Sequence, residues 1–258
     1  PLLHITGQIE TPFLDRELAY IHEAPDQLTM LKAVSKQAFR VRCAQTALAT
    51  FKQAVHVAMS APSGPVSVEV PIDIQGAMID MPQDLTPLRV VPLAPDNMAV
   101  KRLADALAGA KRPMLWLGGG ARGAGPAVMR LVAMGFGVVT TVQGRGVLPE
   151  THAMSLGAYN LQPPVEAFYA TCDAMLVVGS RLRGNETLKY QLKLPPTLHR
   201  IDADARAEGR GYVAQQFVHG DAAATLTALA DALEGRLKVD PSFATDLRRA
   251  HAQDVVAL

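Results

Sequence analysis

The sequence is poor in the features that mark most specialised proteins. It has two cysteines, Cys43 and Cys172, far apart and without CxxC spacing or neighbouring histidines. That argues against a disulfide framework or a metal site, and leaves buried free thiols in a reducing cytoplasm as the expectation. No run of about 18 apolar residues occurs, so nothing is expected to span a membrane. The N-terminus has no basic stretch followed by an apolar one, so no signal peptide is read there. Net charge is +1, with Lys and Arg scattered. A nucleic acid or an anionic membrane would need a basic face, and neither is expected as a partner. There is no Walker loop, no strict G-x-G-x-x-G, no evident Ser-His-Asp order and no metal-ligand spacing among the histidines. The chain holds no convincing catalytic constellation of its own, and no metal site is assigned.

What remains is an ordinary globular balance of 49% hydrophobic and 19% charged residues over 258 positions, enough for one large or two ordinary domains. The stretch "MPQDLTPLRVVPLAPDN" (81–97) carries four prolines, which fix φ and remove N–H donors, so it reads as an extended linker. It separates a first part, 1–80, from a second, 95–237, with 81–94 as the linker and 238–258 as an exit helix.

In the first part, strands are read at 2–6, 36–42 and 65–71, and helices at 25–34 and 44–61. The second helix is expected to bury Leu48, Phe51, Val55, Ala58 and Met59 at 3-4 spacing; its His56 is read as structural. The strand at 2–6 is expected to need a neighbour laid down before it, because unpaired backbone groups are costly once buried. The first part therefore reads as the back half of an α/β domain. In the second part, apolar strands at 113–120, 137–142, 174–180, 197–204 and 215–221 alternate with helices at 96–109, 125–135 and 222–237, with a long loop after 142. Continuous apolar strands between helices indicate a parallel sheet covered on both faces. The fold class is α/β, with doubly wound, mostly parallel sheets, and the second part is a Rossmann-like domain.

Ligands of such sheets sit beyond the carboxyl ends of the strands. Four ends here are polar and small. "LGGGARGAG" (117–125) lets a phosphate approach backbone N–H groups, or simply makes a tight turn. "VGSRLRGNE" (178–186) brings Arg181 and Arg183 past a strand, for phosphate or for solvent. "RIDADA" (200–205) brings Asp202 and Asp204 to where a ribose hydroxyl could be held. In "HGDAA" (219–223), Asp221 reads as the N-cap of the next helix.

"ITGQ" (5–8), "SGPVSVEVPIDIQ" (63–75), "RPMLWLGGGA" (112–121), "GRGVLPETHAMSLGAY" (144–159), "CDAMLVVGSRL" (172–182) and "IDAD" (201–204) follow one another in the order and spacing of thiamine-diphosphate-dependent enzymes. The chain resembles that family along its whole length, in the branch of acetolactate-synthase-like carboligases and decarboxylases. The resemblance implies the C-terminal half of the pyrimidine-binding domain at 1–80 and the central domain at 95–237. It implies thiamine diphosphate and Mg2+ in the intact enzyme, a 2-keto acid substrate, a dimer or tetramer, and a cytoplasmic location. Gln8 matches a Gln near the thiazolium and substrate; without the resemblance it reads as a turn residue. Gly119, Gly120, Arg181 and Asp202 would line a central cleft that holds FAD, ADP or nothing.

The family's activating Glu is expected ahead of Pro1, and its Gly-Asp-Gly…Asn metal site after Leu258. "HGDAA" imitates that site, but no Asn follows at the required distance, so Asp221 is not its metal ligand. The chain alone is expected to be inactive. Two departures narrow the reading. Ile72 stands where acetolactate synthases usually carry Lys, which argues against acetolactate synthesis itself. Arg181-Leu182-Arg183-Gly184 replaces Arg-Phe-Asp-Asp, which argues against bound FAD. The competing readings are a non-catalytic nucleotide-binding module and, disfavoured by the glycine register, an NAD-dependent oxidoreductase.

Overall fold

The computed structural model describes residues 1–256, so the last two residues of the expected exit helix lie outside the described residues. Two compact units follow one another, the first ending at Val91 and the second beginning at Pro92. Residues 77–96 carry neither helix nor strand.

The first unit contains β1 (Leu2–Gln8), α1 (Gln27–Val34), β2 (Gln37–Arg40), α2 (Ala47–Met59), β3 (Pro65–Pro71) and the short α3 (Ile72–Gln75). Its three strands are parallel in the order β1-β3-β2. On this edge β1 takes its neighbour from later in the chain, not earlier: Leu2 lies against Pro65 and Gln8 against Pro71. α1 starts where Asp26 accepts a hydrogen bond from the Thr29 N–H at 3.0 Å, satisfying one of the first turn's free donors.

α2 presents a different face from the one its large apolar residues suggest. Ala54 and Ala58 are the buried positions, with Ala47, Phe51 and Val57 packed beside them, while Val55 and Met59 are 39% and 53% exposed. Small residues at i and i+4 let the helix lie close to the sheet, and the bulkier side chains are displaced to its flanks. They meet Val66, Val68 and Val70 from one face of β3. The alternate residues of β3, Ser67 and Glu69, are also buried. Ser67 Oγ lies 3.1 Å from His4 Nδ1 and 2.7 Å from Ser35 Oγ. Glu69 is fully buried and is paired with Arg40 and with the Gln27 amide. A buried carboxylate demands such partners.

The second unit contains α4 (Asn97–Leu107), β4 (Pro113–Leu117), α5 (Gly125–Ala133), β5 (Gly137–Thr140), α6 (Pro163–Tyr169), β6 (Ala174–Val178), β7 (Thr197–Asp202), β8 (Gln216–His219), α7 (Ala222–Leu233) and α8 (Phe243–Val256). All five strands are parallel, in the order β5-β4-β6-β7-β8. Side-chain alternation divides the core into two layers. Leu115, Leu117, Leu176 and Val178 pack with α4, α5 and α7. Met114, Trp116, Met175 and Val177 pack with α6 and α8. This is the doubly wound arrangement that covers both faces of a parallel sheet.

α6 lies inside the stretch read as a long loop. Only seven residues long with Pro at its start, it shows too little periodicity to be seen, yet it buries Val165, Phe168 and Tyr169. Asp221 caps α7 by accepting from the Ala224 N–H at 2.9 Å, the role expected of it. Arg112 fastens α8: its guanidinium donates to Asp240 at 2.9 Å and Asp246 at 3.0 Å and lies over the rings of Phe168 and Phe243. Of the two thiols, Cys172 is buried and is pushed up to about 12 by burial, whereas Cys43 is half-exposed.

His199 on β7 is 1% exposed, and both its ring nitrogens lack partners among the described residues. Burial holds its pKa below the ordinary 6.5, so the folded chain keeps it neutral. Below pH 6.5 the unfolded chain binds this proton and the folded chain resists it, so stability falls as pH falls. His199→Leu should remove this component, which for one proton is at most about 1.4 kcal/mol per pH unit. Urea unfolding of parent and variant above and below pH 6.5 measures it; identical pH dependence in the two chains would overturn the assignment.

Candidate functional site

The order β5-β4-β6-β7-β8 reverses between β4 and β6: from β4 the chain steps outward to β5, then crosses back to β6. The loops leaving these two strands therefore diverge, and a crevice opens beyond their carboxyl ends. A cleft of about 430 Å3 lies there, within the range of small-ligand sites. Gly119, Gly120 and Arg181 line it together, as do Arg183, Gln143 and Glu186. Asp202 is not among its lining residues. Its half-buried carboxylate accepts from the Asp204 N–H at 2.9 Å and stands 4.0 Å from Arg200 Nη2. Burial raises the Asp202 pKa, against the opposing pull of Arg200 and Arg181.

The glycines are there for backbone contact across the crevice. A Cβ on Gly118 would strike the Gly179 carbonyl, one on Gly120 would stand 2.8 Å from Gly179 Cα, and one on Gly179 would stand 2.5 Å from Gly120 Cα. Gly179 also has φ +56°, a conformation that L side chains rarely take. The loops are tied by Gly118 N–H to Val178 O and Gly120 N–H to Gly179 O, both 2.9 Å. Those two donors are thus spent within the protein and are not open to a phosphate.

Arg181 and Arg183 flank Leu182, which is fully buried at φ +46°. Burial of Leu182 holds the turn and leaves both arginines exposed at the cleft. Neither has a hydrogen-bond or ion-pair partner among the described residues, although Arg181 acts on Asp202 through space and Glu186 lines the same cleft. Ser180 fixes the same turn: its Oγ accepts from Trp116 Nε1 and from the Leu182 N–H, each at 3.2 Å. Arg122 closes the other rim through Gln143, donating to its backbone and side-chain oxygens at 2.9 Å. Ser180 and Gln143 escape sequence reasoning because nothing in their spacing signals a role.

In the first unit, Gln8 ends β1 and lines a pocket of about 440 Å3 with Tyr20, His22, Gln27, Ile72 and Gln75. Gln8 is 9% exposed, and its Oε1 accepts from the Ile9 N–H at 2.7 Å. Its amide NH2 has no protein partner among the described residues and is open to a ligand. Gln27 Nε2 donates to Gly7 O at 2.9 Å and Glu69 Oε2 at 3.1 Å. Gln75 Nε2 donates to Val70 O at 2.7 Å. The loop beyond Gln8 is held by Asp73, which accepts from the Thr11 N–H and hydroxyl at 3.0 and 3.1 Å. Tyr20 stacks on Phe13 and donates to Glu10 at 2.6 Å, a bond that raises its pKa. Of these residues the sequence singles out Gln8 and Ile72; Gln75 ends the quoted "SGPVSVEVPIDIQ", a signal that could have marked it. No cluster of three or more His, Cys, Asp or Glu suited to a metal is found among the described residues, and no helix among them is long and apolar enough to cross a membrane.

The family model of the thiamine pyrophosphate enzyme, central domain, matches residues 100–229, which include the whole crevice. The chain belongs to this family. Among thiamine pyrophosphate enzymes and their relatives, it is similar to a probable acetolactate synthase large subunit of Methanocaldococcus jannaschii, 28% identical over 90% of this chain and 41% of the relative. It is similar to a glyoxylate carboligase of Escherichia coli O157:H7, 29% identical over 99% of this chain and 46% of the relative. It is also similar to a probable 2-ketoarginine decarboxylase of Pseudomonas aeruginosa, 29% identical over 89% of this chain and 41% of the relative. An X-ray structure assigned to the thiamin diphosphate-dependent enzymes, from Mycobacterium smegmatis, matches with a TM-score of 0.68 and 26% identity over 90% of this chain and 46% of that one. The chain thus spans less than half the length of the relatives it matches. The α/β fold with mostly parallel sheets agrees with that neighbour. All these relatives carry enzyme names, which does not support a non-catalytic nucleotide-binding module.

The loop contact makes a direct prediction. Gly179→Ala places a Cβ against backbone and asks Ala to hold φ +56°, and should cost about 2–4 kcal/mol of stability. Gly123→Ala, where no atom lies within 4 Å, should be nearly silent. Denaturant unfolding of the two variants checks the contrast.

Proposed function

We propose that the chain is part of a thiamine-diphosphate-dependent decarboxylase or carboligase acting on a 2-keto acid. Residues 1–80 would supply the C-terminal half of its pyrimidine-binding domain and residues 95–237 its central domain. The observation that carries the reading is Gln8, a nearly buried amide at the carboxyl end of a parallel strand with its NH2 uncommitted. When bound, thiamine diphosphate would supply a nucleophilic thiazolium carbanion and a cationic ring to take up the electron pair left as CO2 departs. Gln8 would hold the keto-acid carbonyl oxygen by donating from Nε2, and Ile72, in place of a cation, would make that side of the pocket apolar. Gln27 and Gln75, each tied to backbone, would keep the pocket's shape and exclude water. Mg2+ is assigned to a part of the enzyme outside these residues, which lack a suitable ligand cluster. The intact enzyme is proposed to be a cytoplasmic dimer or tetramer.

The test is CO2 release from pyruvate and glyoxylate with thiamine diphosphate and Mg2+, using the complete polypeptide that carries this segment. Gln8→Ala should lower kcat/KM by about 10- to 100-fold, the worth of one hydrogen bond to developing charge. The 258-residue chain alone should release none. A complete polypeptide inert towards all 2-keto acids overturns the proposal.

We further propose an adenine nucleotide, ADP rather than FAD, in the central cleft. The support is that Arg181 and Arg183 stand beside Gly119 with no direct hydrogen bond or ion pair among the described residues, Asp202 acting on Arg181 only through space, whereas a direct pairing of Arg181 to a carboxylate would have argued for an empty site. Arg181→Ala should weaken ADP binding by about ten-fold or more, because charge-assisted phosphate bonds are worth roughly 1.5–3 kcal/mol. Calorimetric titration of the purified chain measures it, and no saturable binding of ADP would remove the proposal.

A further inference from the structure

Arg200 has no place in the readings above, yet it is among the largest fully buried side chains of the protein, at 1% exposure on β7. A buried guanidinium is costly unless its donors are met. Here they are met almost wholly by backbone carbonyls: Nη2 donates to Ser180 O at 2.7 Å, and Nη1 to Ala207 O at 2.8 Å and Arg210 O at 3.3 Å. Its nearest carboxylate among the described residues, Asp202, is 4.0 Å away, and Nε has no partner among them. The side chain therefore neutralises little charge. It joins the turn after β6 to the segment after β7.

We infer that Arg200 is the positioning residue of the central cleft, holding the Ser180–Arg181 peptide in the one orientation that presents a donor to an anion. The carbonyl of Ser180 and the N–H of Arg181 belong to a single planar trans unit and point in opposite directions. With the carbonyl drawn inward to Arg200, the Arg181 N–H is turned the other way. Ser180 Oγ, held by Trp116 Nε1, fixes the preceding residue, and buried Leu182 fixes the following one. Arg200 supplies the remaining restraint, on the peptide that carries the cleft's own arginine. A Lys could reach the Ser180 carbonyl but could not span Ala207 and Arg210 as well. An apolar residue of equal length would take a donor from the Ser180 and Arg210 carbonyls and leave Ala207 O only the Arg210 N–H. The ligand this arrangement serves is a diphosphate, so the inference rests on the nucleotide reading of the cleft.

The test titrates the purified 258-residue chain with ADP and with pyrophosphate at several salt concentrations, beside Arg200→Met, Arg200→Lys and Arg181→Ala. Arg181→Ala removes a charge that meets the phosphate, so affinity and its salt dependence should both fall. Arg200→Met should lose affinity by about ten-fold while keeping the parent's salt dependence, because Arg200 does not face the ligand. A purely structural role would lower the unfolding temperature and leave the affinity of the folded chain unchanged; that outcome overturns the inference. Should Arg200→Met fail to fold, Arg200→Lys decides, with about three-fold weaker binding expected from two lost carbonyl bonds and parental affinity overturning the inference. A parent chain that binds neither probe overturns the nucleotide reading and the positioning role together; a parent that binds while folded Arg200→Met binds equally well overturns the positioning role alone.

Discussion

The second unit depends on the contact between two stretches of bare backbone, Gly118–Gly120 after β4 and Gly179 after β6. These strands are hydrogen-bonded neighbours, and the loops leaving them must part to form a crevice. Before they part they touch, closely enough that a Cβ on either side would meet main-chain atoms. The contact sets how far the crevice opens and where its rim begins. Leu182, Ser180 and Gln143 take their positions from it. The glycines thus serve the architecture first, and a ligand meets the surface that this architecture leaves.

Both units also carry polar groups inside their sheets, close to where a ligand is expected. In the first, buried Glu69 is held by partly buried Arg40 and Gln27, the latter joined to Gly7. In the second, Arg200 reaches three carbonyls around Ser180. An apolar interior would be cheaper to build at either place. Polar groups have directional bonds, and direction is what a site needs from the residues behind it.

Much of this was legible because parallel strands buried on both faces leave an apolar signature. "PVSVEVP" coincides with β3 residue for residue, and "PMLWL" and "AMLVV" lie wholly within the stretches read as strands. The Rossmann-like character and the crevice followed from them. Residue size misled in α2, where closeness to the sheet favoured Ala54 over Val55. α6 was too short to show a period. Gly119, Gly120 and Arg181 meet at one cleft because each leaves a strand end, a position that can be counted along the chain. Asp202 satisfies the same count but turns to Arg200, and a side chain's choice of partner is not written in its spacing. Arg200 itself reads as one more strand residue, since its targets are carbonyls that any sequence would supply.

The strand order of the first unit has a bearing on how the chain is made. Among the described residues β1 and β2 do not pair with each other; both pair with β3, which comes last of the three. As the polypeptide leaves the ribosome, β1 and β2 emerge before the strand that lies between them. The pairs that β1 and β2 make with β3 must wait until Pro71 has been synthesised. At ordinary translation rates of about 5–20 residues per second, that interval lasts seconds, long compared with the collapse of a small chain. The helices α1 and α2, local in sequence, can form within it. Of these elements the helices can therefore form first, and the β1-β3-β2 pairing closes only when its central strand arrives.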